Sequence, residues 1–337
     1  MTRVTGTTPH HTLTRRHALT ALAGAAALPL IGGRAKAAWT PTQPITVVVH
    51  WGAGGGTDLV FRGLADIVNS EKLSPQPWVV VNRTGGAGLN GFKYVLDQAG
   101  DAHTIGAITP SIMAAVLQQK VDVDWRKALP VGNLIVDPQV LVVHNKFPQK
   151  TVEEFIAAAK AKPGTIRVAG AQFGQEDHLT NLVMEQGTGI KTRFIAVEGG
   201  IQVKQNLAGG HVDAGWLNPS ELVGSLEKDG GTLVPLAVAL KERLSAHANL
   251  PTFVEKGHDV IFDMFFRGVV APPNIDTQAV AHHTGVIKRA SETPKWKAFC
   301  EKIMVESNYI PTADYTAALN RWNDIFVKLM PLVSAAR

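Results

Sequence analysis

A glycine-rich segment at residues 51–58 is the part of this chain best suited to hold a ligand. It reads Trp-Gly-Ala-Gly-Gly-Gly-Thr-Asp, follows the apolar run Ile45–Val49 and precedes Leu59–Ala65. This order predicts a buried strand, a glycine loop and the start of a helix. Glycine lets the backbone approach a ligand closely, and the unpaired N–H groups at a helix start attract an anion. The segment therefore predicts an anion site that needs no lysine.

A dinucleotide site is the obvious alternative for such a loop, and two residues argue against it. In a Gly-x-Gly-x-x-Gly pattern that begins at Gly52, the third glycine would fall at position 57, which is Thr57. The second predicted strand is followed directly by Asn82, at the position where an acidic residue would be needed to hold a ribose. A nucleotide-dependent oxidoreductase on a doubly wound fold stays open as the enzymatic alternative, although we expect no cofactor.

Motifs of the common catalytic and metal sites are missing: there is no Gly-x-Ser-x-Gly, His-Glu-x-x-His, Walker A or Cys/His metal spacing. His178 follows a glycine loop, but a general base needs a nucleophile beside it, and none is evident. We therefore expect His178 to contact the ligand or to be structural, and Glu176 and Asp177 to cap its helix. The pair His282-His283 is expected on a solvated helix surface. These features favour a binding protein over an enzyme.

The pattern of strand, loop and helix recurs along the chain. Further strands, each followed by a loop of small or polar residues and a helix, are predicted at residues 78–81, 104–108, 166–169, 193–197 and 214–217. Capping boxes that open helices are predicted at Thr151–Glu154 and Asn218–Glu221. This alternation predicts a parallel α/β fold with its ligand beyond the carboxyl ends of the strands.

Two long apolar segments, Gln139–His144 and Phe265–Ala271, are predicted to cross between two domains. If the chain leaves the first domain at one and returns at the other, lobe one comprises residues 39–144 plus 263–337. Lobe two then comprises residues 145–262. We expect the loops of both lobes to line a cleft that closes around the ligand by hinging.

The first forty residues indicate export. Arg15-Arg16 forms a twin-arginine pattern, an Ala/Leu-rich stretch follows to about Ile31, and Ala35-Lys36-Ala37 fits the small-x-small rule for cleavage. The apolar stretch is shorter than the roughly 20 residues that a membrane span needs. We therefore expect residues 1–37 to be a twin-arginine signal peptide and the protein to be periplasmic. An uncleaved anchor is the alternative.

Loss of that segment changes the charge balance. The chain has 33 basic and 28 acidic residues, but five of the basic residues and none of the acidic ones precede position 38. The remainder is near neutral, so the sequence indicates no nucleic-acid partner. The single cysteine, Cys300, excludes an intrachain disulfide.

Small hydroxyl, amide and glycine residues stand at the predicted strand-to-helix loops, with little positive charge among them. Such a group of residues suits a small organic anion held by hydrogen bonds and bridging water. Its members are Thr57, Asp58, Gly86 to Gly88, Thr109, Ser111, Gln172 to Gln175, Gly199, Gly200 and Asn218. The alternative is that the glycines only form tight turns. We expect Thr57 and Gly86 to lie in exposed loops, where core packing is not at stake.

Six segments carry more specific signatures, namely residues 44–58, 80–88, 163–178, 207–214, 250–257 and 266–272. Together and in this order they resemble the signature segments of the tripartite tricarboxylate transporter receptors, also called the Bug family. Members of this family are periplasmic solute-binding proteins. Asn218–Glu221 with Arg267–Val270 is closer to the citrate-type branch than to the general family.

The resemblance implies both a fold and a function. The fold is α/β and similar to that of periplasmic binding proteins, with two doubly wound domains, two crossing strands and a ligand cleft between them. The function is capture of a small organic carboxylate, a di- or tricarboxylate or related acid, and its delivery to a permease with large and small integral-membrane subunits. We expect a monomer without catalytic activity. A sensory adaptor that binds the same solute is a further alternative.

The resemblance also implies ligand contacts, residue by residue. The ligand carboxylate would lie against the first two glycine loops, partly through ordered water, with side chains from the second lobe. The implied contacts are Trp51, Ala53, Thr57, Asp58, Gly86, Ala87 and Gly88 in lobe one, and Gln172, Phe173, His178 and Asn218 in lobe two. Thr109 joins these candidates because it follows a predicted strand.

Two departures from the family pattern bear on the choice of ligand. Trp51 replaces the usual Phe and narrows or re-aims the first loop. The run Ala196–Gly200 replaces a more common Pro-Tyr/Phe-Lys/Ser-Gly-Gly and adds Glu198 near the cleft. A carboxylate there disfavours a purely anionic ligand, so an amino or hydroxy acid stays open beside a citrate-type ligand.

Overall fold

The computed structural model describes residues 38–119 and 121–335, together with the isolated residues Thr2 and Gly6. The predicted signal peptide, including Arg15 and Arg16, lies outside the described residues. By its contacts the chain divides into two units, residues 1–38 and 39–337. The second unit holds every helix and strand described below. Within the described ranges, no helix is both long enough and apolar enough to cross a membrane.

Strands and helices alternate through the second unit. The strands are β1 (Ile45–Val49), β2 (Trp78–Asn82), β3 (Thr104–Ile108), β4 (Leu129–Val136), β5 (Val140–His144), β6 (Arg167–Ala171), β7 (Arg193–Val197), β8 (Ala214–Leu217), β9 (Leu233–Val238), β10 (Phe266–Ala271) and β11 (Glu306–Pro311). The α-helices are α1 (Gly56–Ser70), α2 (Leu89–Asp97), α3 (Pro110–Gln119), α4 (Val152–Ala161), α5 (Glu176–Thr188), α6 (Gly200–Ala208), α7 (Pro219–Leu222), α8 (Thr277–Glu292), α9 (Pro294–Lys302) and α10 (Thr312–Ala335).

The strands form two sheets. The first has the order β11-β4-β10-β3-β1-β2, and the second has the order β7-β6-β8-β5-β9. The predicted α/β class is confirmed, but the expectation of parallel sheets is wrong in part. Strand β10 runs antiparallel to β3 and β4, and β5 runs antiparallel to β8 and β9. The chain comes from the other sheet when it enters each of these two strands. An alternating pattern of strands and helices in the sequence does not show in which direction such a strand runs.

The first crossing between the sheets lies before β5. Because Val140–His144 hydrogen-bonds with β8 and β9, a division by sheets falls at residues 137–139. Our predicted boundary at residue 144 instead leaves this strand with lobe one. The largest cluster of buried apolar side chains joins both sheets, with Ile108 and Phe266 from the first and Leu141 and Trp216 from the second. The division into lobes therefore stays a prediction.

Helix α1 shows why the first glycine loop is held firmly at the end of β1. Val60, Phe61, Leu64 and Val68 recur at helical spacing and are each 0% exposed, so one face of the helix packs on the sheet. The parallel strand β1 is buried along most of its length. Packing on both sides of the loop fixes the position of its backbone.

The predicted capping box of α4 is present. Glu154 N donates to Thr151 Oγ1 at 3.2 Å, and Thr151 N donates to Glu154 Oε2 at 3.3 Å. At α7, Asn218 N donates to Glu221 Oε2 at 3.1 Å. Each box satisfies backbone donors that a helix start leaves without intrahelical partners.

The expectation that His282-His283 is a solvated pair is wrong for His283. Its ring is fully buried in α8, and its Nε2 lies 2.9 Å from the carbonyl oxygen of Ala102. Burial lowers the pKa of His283 to about 4. The ring packs 5.4 Å from the ring of Trp39, which holds the beginning of the second unit against α8.

Candidate functional site

A cavity of about 600 Å³ lies beyond the carboxyl ends of β1, β2, β6, β7 and β8. Open α/β sheets bind ligands in this position. The first sheet contributes Trp51, Gly52, Gly55, Gly56, Thr57, Thr84 to Gly88 and Arg267 to the lining. The second sheet contributes Ala171, Gln172, Glu176, Asp177, Glu198 to Gln202, Gln205, Asn218 and Glu221.

The start of α1 lies on the side of the cavity that belongs to the first sheet. The first helical hydrogen bond of α1 runs from Leu59 N to Gly55 O at 3.0 Å, so the N–H groups of Gly56 and Thr57 precede it. Such groups are free to bind an anion. No acidic side chain from the first sheet is part of the described lining.

The turn before α2 completes that side. Gly86, Ala87 and Gly88 have φ values of 59°, 57° and 91°, all in the left-handed region. A Cβ at Gly88 would also lie 2.8 Å from Cδ2 of His50, so glycine is required there by both conformation and space. Left-handed backbone at the non-glycine Ala87 stores strain directly at the cavity wall.

The buried side chain of Asp58 holds the first glycine loop in place through hydrogen bonds. It is 1% exposed and accepts hydrogen bonds from Gly54 N at 2.8 Å, Arg62 Nε at 2.9 Å and Asn82 Nδ2 at 2.8 Å. Burial raises the pKa of Asp58, but these hydrogen bonds outweigh burial and hold the pKa below its ordinary value. The carboxylate thus holds the loop rather than the cavity contents.

Arg267 is the cation of the site. Its Nε and Nη2 donate to Asp137 Oδ2 at 2.9 and 2.6 Å, and Nη2 also donates to Asn218 Oδ1 at 3.1 Å. Nη1 donates to Thr57 Oγ1. Arg267 belongs to the first sheet and Asn218 to the second, so the guanidinium joins loops of both sheets at the floor of the cavity.

Carboxyl groups dominate the side that belongs to the second sheet. Burial raises the pKa of Glu176 to about 7, raises that of Asp177 well above its ordinary value and raises that of Glu221. Asp177 is 5% exposed and accepts from Ala171 N at 2.6 Å and from Gln139 Nε2. Glu176 Oε2 is buried and has no hydrogen-bond partner among the described residues. Glu198 is exposed at the edge of the cavity.

The structure brings together eight of the thirteen residues that the sequence suggested. They are Trp51, Thr57, Gly86, Ala87, Gly88, Gln172, Glu198 and Asn218, all of which line the cavity. The expectation that Thr57 lies in an exposed loop is wrong, since it is 2% exposed and bonded to Arg267. Thr57 lies in the first turn of α1, and its hydroxyl group points toward Arg267.

Five suggested residues, Ala53, Asp58, Thr109, Phe173 and His178, are not part of the lining. Ala53 is exposed on the loop, and Asp58 is bonded beneath it. Thr109 is 2% exposed, with its Oγ1 2.9 Å from Nε2 of His50. Burial lowers the pKa of His50 to about 3, so this ring is neutral.

Phe173 and His178 pack on each other behind the cavity. Their ring centroids are 3.9 Å apart, and the ring of Phe194 lies 4.6 Å from that of His178 on another side. His178 is 2% exposed, and its Nδ1 accepts from Gly174 N at 3.1 Å. The imidazole is a structural support for the loop between β6 and α5.

Sequence reasoning missed Arg267 as a site residue. A single arginine inside the apolar run Phe265–Ala271 was the available signal, because a buried cation needs a partner. It also missed the cavity positions of Glu176, Asp177 and Glu221, which we expected only to cap helices. Glu221 does both, since its Oε2 caps α7 while the residue lines the cavity.

These features define a two-sheet α/β protein with a ligand cavity at the carboxyl ends of its strands, the architecture of periplasmic solute-binding proteins. The chain belongs to the tripartite tricarboxylate transporter family of receptors, whose family model matches residues 60–329. The predicted resemblance to this family is therefore confirmed, whereas the closeness to its citrate-type branch stays a prediction.

Individual relatives agree with this assignment. A Cupriavidus necator protein, named UPF0065 protein in gbd 5'region, is 30% identical over 299 residues, covering 88% of this chain and 89% of the relative. The R. palustris protein solved with adipate has a TM-score of 0.81 and 23% identity, covering 87% of this chain and 98% of that one. MatC of Rhodopseudomonas palustris, solved with malate, has a TM-score of 0.73 and 22% identity, covering 87% and 99%. The two solved structures show the shared fold.

Proposed function

We propose that this protein is a periplasmic receptor that captures a small organic carboxylate and delivers it to a tripartite tricarboxylate-type permease, without catalysing a reaction. One observation carries the proposal: the cavity lining includes a buried arginine together with Gly56 and Thr57, whose N–H groups precede the first helical hydrogen bond of α1 and have no hydrogen-bond partner among the described residues. Such donors suit a carboxylate. The adipate and malate in the two related structures are carboxylates too.

The ligand contacts in this proposal are the lining residues of the two glycine segments, with Gln172 and Asn218 opposite them and Arg267 at the floor. The ligand carboxylate lies against the Gly86–Gly88 turn and the start of α1. The two lobes hinge around it, with Asp137–Gln139 as one of the crossings. Large and small integral-membrane subunits take up the solute from the closed form of this monomeric receptor.

Export by a twin-arginine signal peptide at residues 1–37 is part of the proposal. It rests on Arg15-Arg16, the following apolar stretch and the small residues at Ala35 and Ala37. Membership of a family of solute-binding receptors supports a location in the periplasm.

The oxidoreductase alternative is disfavoured by Asn82. Its Nδ2 donates to Trp51 O at 2.9 Å and to Asp58 Oδ1 at 2.8 Å, so the position that holds a ribose in dinucleotide sites serves here to fix the first loop. A sensory adaptor would have the same cavity. Uptake of the bound solute by cells with and without this gene separates transport from signalling.

Thermal unfolding of the purified protein with a panel of mono-, di- and tricarboxylates tests the proposal. A ligand present at 100 times its dissociation constant should add about 2.7 kcal/mol of stability. We expect at least one carboxylate to raise the unfolding midpoint in a concentration-dependent way, with NAD and flavins without effect. A midpoint that no carboxylate changes, or that a nucleotide raises, would overturn the proposal.

A further inference from the structure

Building on the proposed receptor function, we infer that the ligand carries a protonated nitrogen as well as a carboxylate. The two sides of the cavity differ in the chemical groups that they present. The first sheet supplies backbone N–H groups and no acidic lining residue, whereas the described second-sheet lining includes Glu176, Asp177, Glu198 and Glu221 and no basic residue. A ligand that is anionic at one end and cationic at the other matches both sides.

Arg267 offsets the charge of the acidic side only in part, because it is already paired with Asp137. Its side chain is 10% exposed and that of Asp137 is 1% exposed, and the two are joined at 2.6 Å. Of its five N–H groups, one on Nε, two on Nη2 and one on Nη1 already donate within the described residues. One N–H on Nη1 is left for a ligand, which suits one carboxylate and not two.

The hydrogen-bond capacity of the acids shows which of them can contact a cation. Asp177 has both oxygens bonded, and Glu221 Oε2 accepts from Asn218 N. Glu176 lines the cavity, but its Oε2 is buried, and the carboxyl group interacts with the backbone of Glu176 and Ser111. Glu198 Oε2 has only a long 3.4 Å contact with Gln202 Nε2. Glu198 and the second oxygen of Glu221, Oε1, are therefore the groups that would accept from an ammonium, while Glu176 would attract it through its charge.

Proton linkage predicts in which direction the affinity for the ligand changes with pH. Burial raises the pKa of Glu176 to about 7, whereas hydrogen bonds from the backbone of Glu176 and Ser111 and the charge of Arg267 lower it, and Glu221 raises it. Asp177 is coupled to Glu176, Asp137 and Lys204 act on Glu221, and His50 is neutral. An ammonium favours ionised Glu176, lowers its pKa and releases a proton on binding. Its affinity therefore rises between pH 6 and 8. A purely anionic acid favours protonated Glu176, so its affinity falls over the same interval.

Matched pairs of acids, with and without an α-amino group, test the inference by titration calorimetry. The pairs are succinate and aspartate, glutarate and glutamate, and adipate and 2-aminoadipate. For at least one pair we expect the amino acid to bind at least 10-fold more tightly at pH 8, with that advantage smaller at pH 6. In Glu176→Gln and in Glu198→Gln the advantage should fall to less than 3-fold. Glu242→Gln, an exposed glutamate outside the lining, is the control and should keep it.

Each result decides the matter. If the unsubstituted acids bind as well as their amino counterparts, or better, or if only a carboxylate without a basic nitrogen binds, the inference is wrong while the receptor function stands. If none of the six acids and no other carboxylate binds, the receptor function itself is wrong. Should Glu176→Gln fail to fold, the exposed Glu198→Gln and the pH trend of the wild-type protein still give the answer.

Discussion

Arg267 donates from both Nε and Nη2 to a single oxygen, Oδ2 of Asp137, at 2.9 and 2.6 Å. The two residues are 130 positions apart, and both are almost completely buried. The same carboxylate accepts from the amide N–H of Ser220 at 3.2 Å on its other oxygen. Asp137 thus connects the returning strand β10, the crossing before β5 and the start of α7, which are the elements around the floor of the cavity.

Removal of the buried Asp137 carboxylate should lower the free energy of unfolding more than removal of a carboxylate from an exposed ion pair. Asp137→Ala leaves the Arg267 guanidinium buried without its counter-ion, so we expect a loss of about 3–5 kcal/mol in the free energy of unfolding. Asp97→Ala, which breaks the exposed pair with Lys93, is the control and should change it little. Urea unfolding measures both. Equal effects would show that the buried pair is not a structural tie.

Obstruction of the second glycine turn should weaken binding without unfolding the protein. Gly86 has φ 59°, and we expect Gly86→Val to weaken carboxylate binding at least 10-fold, about 1.4 kcal/mol, because the side chain narrows the approach to the backbone N–H groups. Gly100→Val is the matched control, since Gly100 has φ 83° and open space around its Cβ, away from the cavity. Similar affinities for both variants would mean that the glycines only form turns.

The buried acid Glu176 should make stability depend on pH. Its folded pKa, about 7, lies above the ordinary value of 4.5, so the folded state holds more protons and stability falls as pH rises from about 4.5 to 7. Glu176→Gln removes this loss. We expect the variant to match the wild type near pH 4.5 and to exceed it at pH 8 by on the order of 3 kcal/mol. Unfolding at both pH values measures the difference, and a pH-independent difference would contradict it.

His178→Ala should affect the fold more than the ligand. The ring packs between Phe173 and Phe194 outside the lining, so we expect a lower unfolding midpoint and a loss in affinity of less than 10-fold. Titration of the folded variant provides the check. A greater loss of affinity at unchanged stability would place the imidazole in contact with the ligand.

Export should depend on the two adjacent arginines. Changing both Arg15 and Arg16 to Lys should leave precursor in the cytoplasm, whereas the wild-type protein should appear in the periplasm with an N-terminus near Ala38 or Trp39. Immunoblots of cell fractions distinguish these outcomes. Unchanged export of the double variant would exclude the twin-arginine route, though not secretion.

Much of the fold could be predicted because short apolar runs bounded by glycine and polar residues are typical of buried strands. The predicted bounds of β3, β7 and β8 agree with the structure, and those of β2 and β6 differ by one or two residues. The direction of β5 and β10 could not be predicted, because no crossover helix leads into either strand from a neighbour in its own sheet. Pairing between distant strands depends on tertiary contacts that local pattern does not contain.

The candidate site was predictable in its backbone and less so in its side chains. Thr57 and Asp58 are adjacent, yet the first lines the cavity and the second is bonded beneath the loop to Arg62. A glycine-rich pattern gives the position of N–H donors but not the direction of neighbouring side chains. Arg267 was missed for a related reason, since its partner Asp137 lies in a crossing segment without a motif of its own.

A crystal structure of the protein with the tightest-binding carboxylate of the panel tests the central claim most directly. Our account predicts the ligand in the 600 Å³ cavity, with a carboxylate oxygen within hydrogen-bond distance of backbone N–H groups in the Gly86–Gly88 turn or at Gly56 and Thr57. A ligand bound elsewhere, for example in the shallow depression lined by Ser245, Lys297 and Cys300, would contradict it.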